Sequence, residues 1–150
     1  NLDAGAAYRF GHNNRWQGGF VLKNIIGKTY ESAEGKEITI NPMARVALSY
    51  ENTDFWLKPK VAVDLDLTEN DPIAFEDPTQ YFGIGAEIDL FRTLQLRGGY
   101  RTNLAGSDQE AISFGLGFSP FVVHFDFAAF ANPSDPEKEA GLAFEMGVEF

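Results

Sequence analysis

Ser113, His124 and Asp126 are the residue types from which a nucleophile, its general base and an orienting carboxylate are built. If the Ser119-Pro120 turn pairs Phe118 with Phe121, Ser113 faces Asp126 across a hairpin and Gly115 faces His124. All three side chains then share a surface crowded with other charges. No oxyanion donors accompany them, so the expected role is a structural polar network. A second group, Asp64, Asp66, Glu69 and Asp71, closes one strand and opens the next loop. That density of carboxylates suits a hard cation such as Ca²⁺. No EF-hand loop or glycine-aspartate repeat sharpens the match, and ion pairs to Lys58 and Lys60 answer the same charges. His12 falls in a turn, and no phosphate loop, zinc spacing or dinucleotide fingerprint occurs. The expectation is a protein with no enzymatic activity, no bound metal and no cofactor.

The totals narrow the partners. A net charge of −10 argues against nucleic acid, which wants clustered Lys and Arg. The chain has no cysteine, which removes thiolate sites and suits an oxidising periplasm. No apolar run approaches the roughly 18 residues of a membrane helix, but a barrel strand needs only about 9–11. Fourteen Phe and fifteen Gly suit a sheet with one bulky face and one thin face.

Alternation and turn residues give about nine strands. They run over Leu2 to Gly11, Arg15 to Asn24, Ile38 to Tyr50, Asp54 to Leu67 and Thr79 to Leu90. Three more begin near Leu94, Ile112 and Phe121, and the last covers Ala140 to Phe150. Pro59 should bend the fourth strand, since it cannot donate a ladder hydrogen bond. A register that places Leu90 opposite Leu94 sets Glu87 opposite Arg97, a favourable pair. Connections alternate between short and longer, and the chain ends on the short-turn side. That is the layout of an outer-membrane barrel, and the fold class expected is all-β: an antiparallel up-and-down meander forming a transmembrane β-barrel. Residues 1–150 are expected to form a single β-barrel domain. Because bacterial barrels close on an even strand count, the domain is expected to be the C-terminal portion of a longer one.

The face opposite the apolar one decides which side is wet. It carries Gly5, Gly19, Gly83, Gly85, Gly99, Gly115, Gly117, Gly141 and Gly147 among charges of both signs. Glycine on a water-exposed strand face weakens the strand for no gain, whereas inside a narrow barrel it makes room for long neighbours. The expected lumen lining is Arg9, Lys23, Arg45, Lys58, Lys60, Asp64, Asp66, Glu87, Asp89, Arg97, Arg101, His124, Asp126, Glu145 and Glu149. Tyr8, Phe10, Trp16, Tyr50, Phe55, Phe91, Tyr100, Phe118, Phe121 and Phe150 would form an aromatic girdle at the membrane interface. The excess acid sits mainly in loops, as at Glu69, Asp71, Glu76 and Asp77.

The final stretch, A-G-L-A-F-E-M-G-V-E-F, alternates and stops on Phe150, and so resembles the closing strand of bacterial outer-membrane barrels. That likeness implies recognition by the barrel-insertion machinery. The strictest form of the signal has glycine where this chain has Glu145. The blocks V-A-V-D-L-D-L-T-E-N-D-P (61–72), Q-Y-F-G-I-G-A-E-I-D (80–89), L-Q-L-R-G-G-Y-R-T-N (94–103) and F-G-L-G-F-S-P-F-V-V-H-F-D (114–126) resemble the conjugal-transfer TraF-like family of outer-membrane proteins. N-L-D-A-G-A-A-Y-R-F and W-Q-G-G-F-V-L-K-N fit it too. The family is similar in architecture to long-chain fatty-acid transporter barrels. The resemblance implies a Gram-negative outer membrane, lipid contact and a link to plasmid transfer. The function expected is porin-like transport of a small or apolar ligand. The alternatives are a structural or adhesive envelope protein with a filled lumen, and a soluble lipocalin-like carrier.

Overall fold

The computed structural model describes residues 2–31, 37–70, 78–106, 109–137 and 139–148. Its strands are β1 (Ala4–Phe10), β2 (Trp16–Lys23), β3 (Lys28–Glu31), β4 (Glu37–Ile40), β5 (Met43–Glu51) and β6 (Pro59–Asp66). They continue as β7 (Tyr81–Leu90), β8 (Leu94–Asn103), β9 (Ala111–Phe118), β10 (Val123–Ala131) and β11 (Ala140–Val148). Nine of them form one sheet in the order β1-β2-β5-β6-β7-β8-β9-β10-β11, every neighbouring pair antiparallel. The fold is an all-β meander, with no α-helix among the described residues.

Period-two alternation survives pairing because each register matches apolar with apolar. Leu96 faces Ile88 and Leu116, Leu116 faces Phe127, and Phe127 faces Phe144. One face of the sheet is therefore apolar from edge to edge, and the other carries the charges and most of the glycines.

No second layer packs on either face among the described residues. Among the described residues no apolar side chain is buried, and the buried side chains are Asp66, Thr79, Asn103 and Asn132. The accessible surface is 10583 Å², against roughly 7600 Å² for a compact monomer of this length. Phe114 is 57% exposed, Phe144 59% and Leu142 89%. The few enclosed side chains are thus polar, while large apolar ones on one face stand open.

The third and fourth expected strands differ most in their bounds. The third breaks at Asn41-Pro42, and its first part, β4, pairs with β3 in a separate two-stranded hairpin inside what reads as a polar loop. Thr29 and Thr39 face each other there with hydroxyl oxygens 3.1 Å apart. The fourth starts at Pro59 rather than Asp54, since Lys58 at φ 35 and its N–H bond to the Phe55 carbonyl belong to a turn. Pro59 thus begins a strand instead of bending one, and its missing donor costs the ladder little.

Connections 11–15, 52–58, 91–93 and 119–122 gather at one end of the sheet, and the links from β2 to β5, β6 to β7, β8 to β9 and β10 to β11 leave and re-enter it at the other. The shorter set shares its end with the C-terminus of β11. At that end the rings of Tyr8, Phe10, Trp16 and Tyr50 follow one another at 6.4, 6.5 and 4.9 Å. Trp56 joins Phe55 to Phe91 at 5.8 and 5.6 Å. Tyr100 lies toward the long-connection end instead, facing Ile84 and Ile112. Phe150, Glu76 and Asp77 lie outside the described residues.

A polar clamp holds two short turns together. Arg15 donates to Asp54 at 2.7 Å and Asn13 to the same oxygen at 3.1 Å. The Arg15 hydrogen bond, then that from Asn13, lowers the Asp54 carboxyl below the usual Asp range. A depressed folded-state pKa contributes stability above the unfolded value and loses it as pH falls through the folded one. The clamp should therefore persist through the ordinary Asp titration and open only below it. A carboxyl carbon NMR titration checks this, and Arg15→Gln should move Asp54 back toward the ordinary range.

Candidate functional site

The polar face is built by a row of facing residues. Lys60 of β6 faces Glu87 of β7, Glu87 faces Arg97 of β8, and Arg97 faces Gly115 of β9. Arg97 donates through Nε to Glu87 at 2.7 Å and through Nη1 to Asp126 at 2.6 Å. Asp126 belongs to β10, so the guanidinium crosses the whole of β9 to reach it. Glycine makes the crossing possible. A Cβ on Gly115 would stand 3.2 Å from the Arg97 Cβ. One on Gly117 would stand 2.5 Å from the Gln95 side-chain oxygen and 2.9 Å from an Asp126 oxygen. Gly83 lies beneath Asp64, Gly141 beneath the Phe130 ring and Gly147 beneath the His124 ring in the same way.

This yields a specific expectation. Gly117→Val should part Arg97 from Asp126 and cost about 1–3 kcal/mol through overpacking. Denaturant unfolding checks it, with Leu116→Val, whose side chain lies on the other face, as the milder control.

A second ion pair sits nearer the long connections. Arg45 of β5 grips Asp66 of β6 with both ends of its fork, at 2.5 and 3.0 Å, and lies 4.0 Å from Asp64. The Tyr81 N–H donates to Asp66 at 3.1 Å, and Asp66 is 2% exposed. Beside it Arg101 lies 4.8 Å over the Tyr81 ring, and the Tyr81 hydroxyl donates to Gln109 at 2.8 Å. Asn103 ties the loop bases, accepting from the Gln80 N–H at 2.7 Å and donating to the Pro78 carbonyl at 3.0 Å. Between the two ion-pair groups a cavity of about 380 Å³ opens over Ala62, Gly85 and Gly99, with Lys60, Glu87 and Arg97 along its side.

The registers put Arg9, Lys23, Arg45, Lys60, Asp64, Asp66, Glu87, Asp89, Arg97, Arg101, His124, Asp126 and Glu145 on this one face. Lys58 stands in the turn before β6 and reaches the face at Asp89, 3.8 Å away. Glu149 lies outside the described residues. Tyr81, Gln95 and Asn103 are polar-face residues beyond the expected set. Gln95 and Asn103 were signalled by strand parity, and Tyr81 by an aromatic standing on the charged side.

The hydrolytic grouping does not form. β10 begins at Val123, after a turn in which Phe121 takes φ 60 and the Val123 N–H bonds the Pro120 carbonyl. Phe118 therefore faces Phe125 rather than Phe121, Ser113 faces Phe130, Gly115 faces Ala128, and Asp126 faces Gly117. Ser113 turns instead to the Gly99 carbonyl at 3.5 Å. The carboxylate cluster is divided too: Asp66 and Asp64 answer Arg45 rather than Lys58 or Lys60. Asp71 lies outside the described residues, and among the described ones no three His, Asp or Glu residues are grouped to hold a metal ion.

Comparison with protein-family models, with curated proteins and with solved structures gives no match for this chain.

Proposed function

We propose that this chain is a transmembrane β-barrel of a Gram-negative outer membrane, or the C-terminal part of one. In this reading it passes or holds a small or apolar ligand along its polar face. One observation carries the proposal: among the described residues the enclosed side chains are polar and every apolar side chain is at least partly open. Lipid is the solvent that makes such a surface stable, because acyl chains accept it and water does not. The aromatic chain at the short-connection end suits the headgroup boundary. The ordered blocks resembling the TraF-like family suggest conjugal transfer as the setting and insertion through the C-terminal strand as the route. The role is non-enzymatic, with lumen charges setting selectivity.

Reconstitution in planar bilayers tests the transport reading. Discrete openings are expected, and Arg97→Gln should shift their ion selectivity toward cations by removing the positive centre of the Glu87–Asp126 bridge. A second reading, a structural or adhesive envelope protein with a filled lumen, is favoured by the way Arg97 bridges β7 to β10 across four strands and fills that face. Membrane insertion without openings would select it. Full solubility without detergent would select the lipocalin-like carrier and remove both.

A further inference from the structure

A second cavity of about 380 Å³ opens at the short-connection end of the polar face, between the turns that enter β8 and β10. Arg92, Gln95, Ser119 and His124 line it, and Phe121 and Val122 form an apolar wall. Arg97 and Asp126 reach it as well, but their charges answer each other at 2.6 Å. Among the described residues the side chains of Arg92 and His124 have no hydrogen-bond or ion-pair partner. The cavity therefore gathers unanswered donors and positive charge, in a chain whose net charge is −10.

The two turns beside it are strained. Phe91 and Arg92 stand at φ 57 and 58 in a turn closed by the Thr93 N–H on the Leu90 carbonyl at 3.0 Å. Two successive positive φ angles belong to a hairpin turn that Asn-Gly fills at least cost. In the neighbouring connection Phe121 takes φ 60. Bulky residues in this conformation are outliers, and such outliers cluster at ligand sites. Phe91 is accounted for by its ring contact with Trp56 at 5.6 Å. Arg92 and Phe121 have no ring contact or ion pair among the described residues, and what they share is the cavity.

We propose that this cavity binds a soluble phosphate monoester. The phosphoryl group sits at Arg92, with the Ser119 hydroxyl, the Gln95 amide and His124 around it, and the organic body lies against Phe121. Phosphate presents three strong acceptor oxygens to donors on several sides, where a carboxylate presents two. The guanidinium fork matches it bidentately. The apolar wall is two side chains long, which suits a small organic body better than an acyl chain. The proposal goes beyond the membrane reading, since registers and turns build the cavity in any solvent.

Amide-shift NMR titration of the full chain in detergent micelles with phenyl phosphate tests it. Binding at millimolar concentration or below is expected, tighter than that of benzoate or inorganic phosphate. Arg92→Gln should weaken it about tenfold or more, the worth of a charged hydrogen bond. Lys28→Gln, an equal loss of charge on the distant β3, should change it less than about twofold. Arg92→Gly, which fits φ 58, should remove binding with a urea midpoint no lower than wild type. No binding of phenyl phosphate, benzoate bound as tightly, or equal losses in Arg92→Gln and Lys28→Gln would overturn the proposal. Tighter binding of micellar dodecyl phosphate would overturn the soluble ligand in favour of a lipid headgroup.

Discussion

Arg45→Met is expected to destabilise the fold by about 3–5 kcal/mol, the cost of leaving an enclosed charge without its partner. Asp66 is 2% exposed, and the Arg45 fork supplies two of its hydrogen bonds, leaving the Tyr81 N–H as its side-chain partner among the described residues when removed. The substitution keeps the bulk of the side chain and removes only its charge and donors. Adding Asp66→Asn should recover more than about 1 kcal/mol, because a neutral amide costs less to enclose than a lone carboxylate. Urea unfolding of the wild type, both single variants and the double variant measures the cycle. Simple additivity would show that Arg45 contributes packing and not charge.

Phe144→Arg is the second large effect, and its size depends on the solvent. Phe144 lies midway along β11 and 59% exposed, its ring 4.8 Å from Phe127. In water an exposed position of this kind tolerates substitution within about ±0.5 kcal/mol. Facing lipid near the bilayer middle, an arginine costs about 2–4 kcal/mol. Folding into lipid vesicles should therefore fall sharply for Phe144→Arg and stay near wild type for Ala143→Arg, one residue away on the other face. Equal behaviour of the two variants would remove lipid from the account.

Much of this was legible in the sequence because alternation is a parity, and parity survives errors of register. Reading Phe121 as the first residue of β10 misplaces the pairing by four residues. An even slip leaves every side chain on its proper face. The apolar and polar faces were therefore readable throughout, while the Ser113–Asp126 juxtaposition, which depends on exact partners, was not. Glu87 and Arg97 were paired correctly because the Phe91-Arg92 turn is too short to misjudge. Arg45 and Asp66 escaped because the turn before Pro59 runs past Glu51-Asn52-Thr53 to Lys58, and three of its extra residues, Phe55, Trp56 and Leu57, are apolar. The β3–β4 hairpin was hidden by polar composition: Lys28, Thr29 and Glu31 carry no burial signal. The crossing of β9 by Arg97 had its cue in the alternating Gly115 and Gly117. Spacing alone does not say which neighbour fills the room a glycine leaves.

The most direct measurement places nitroxide labels singly at residues 142 to 146 of the chain reconstituted in lipid vesicles. Collision with oxygen and with a water-soluble nickel complex is then compared along the strand. The account predicts an oscillation of period two, with oxygen dominant at 142, 144 and 146 and nickel at 143 and 145. The reverse phase, or even-numbered positions shielded from both reagents, would mean that the apolar side chains are packed against protein, and the account would be wrong.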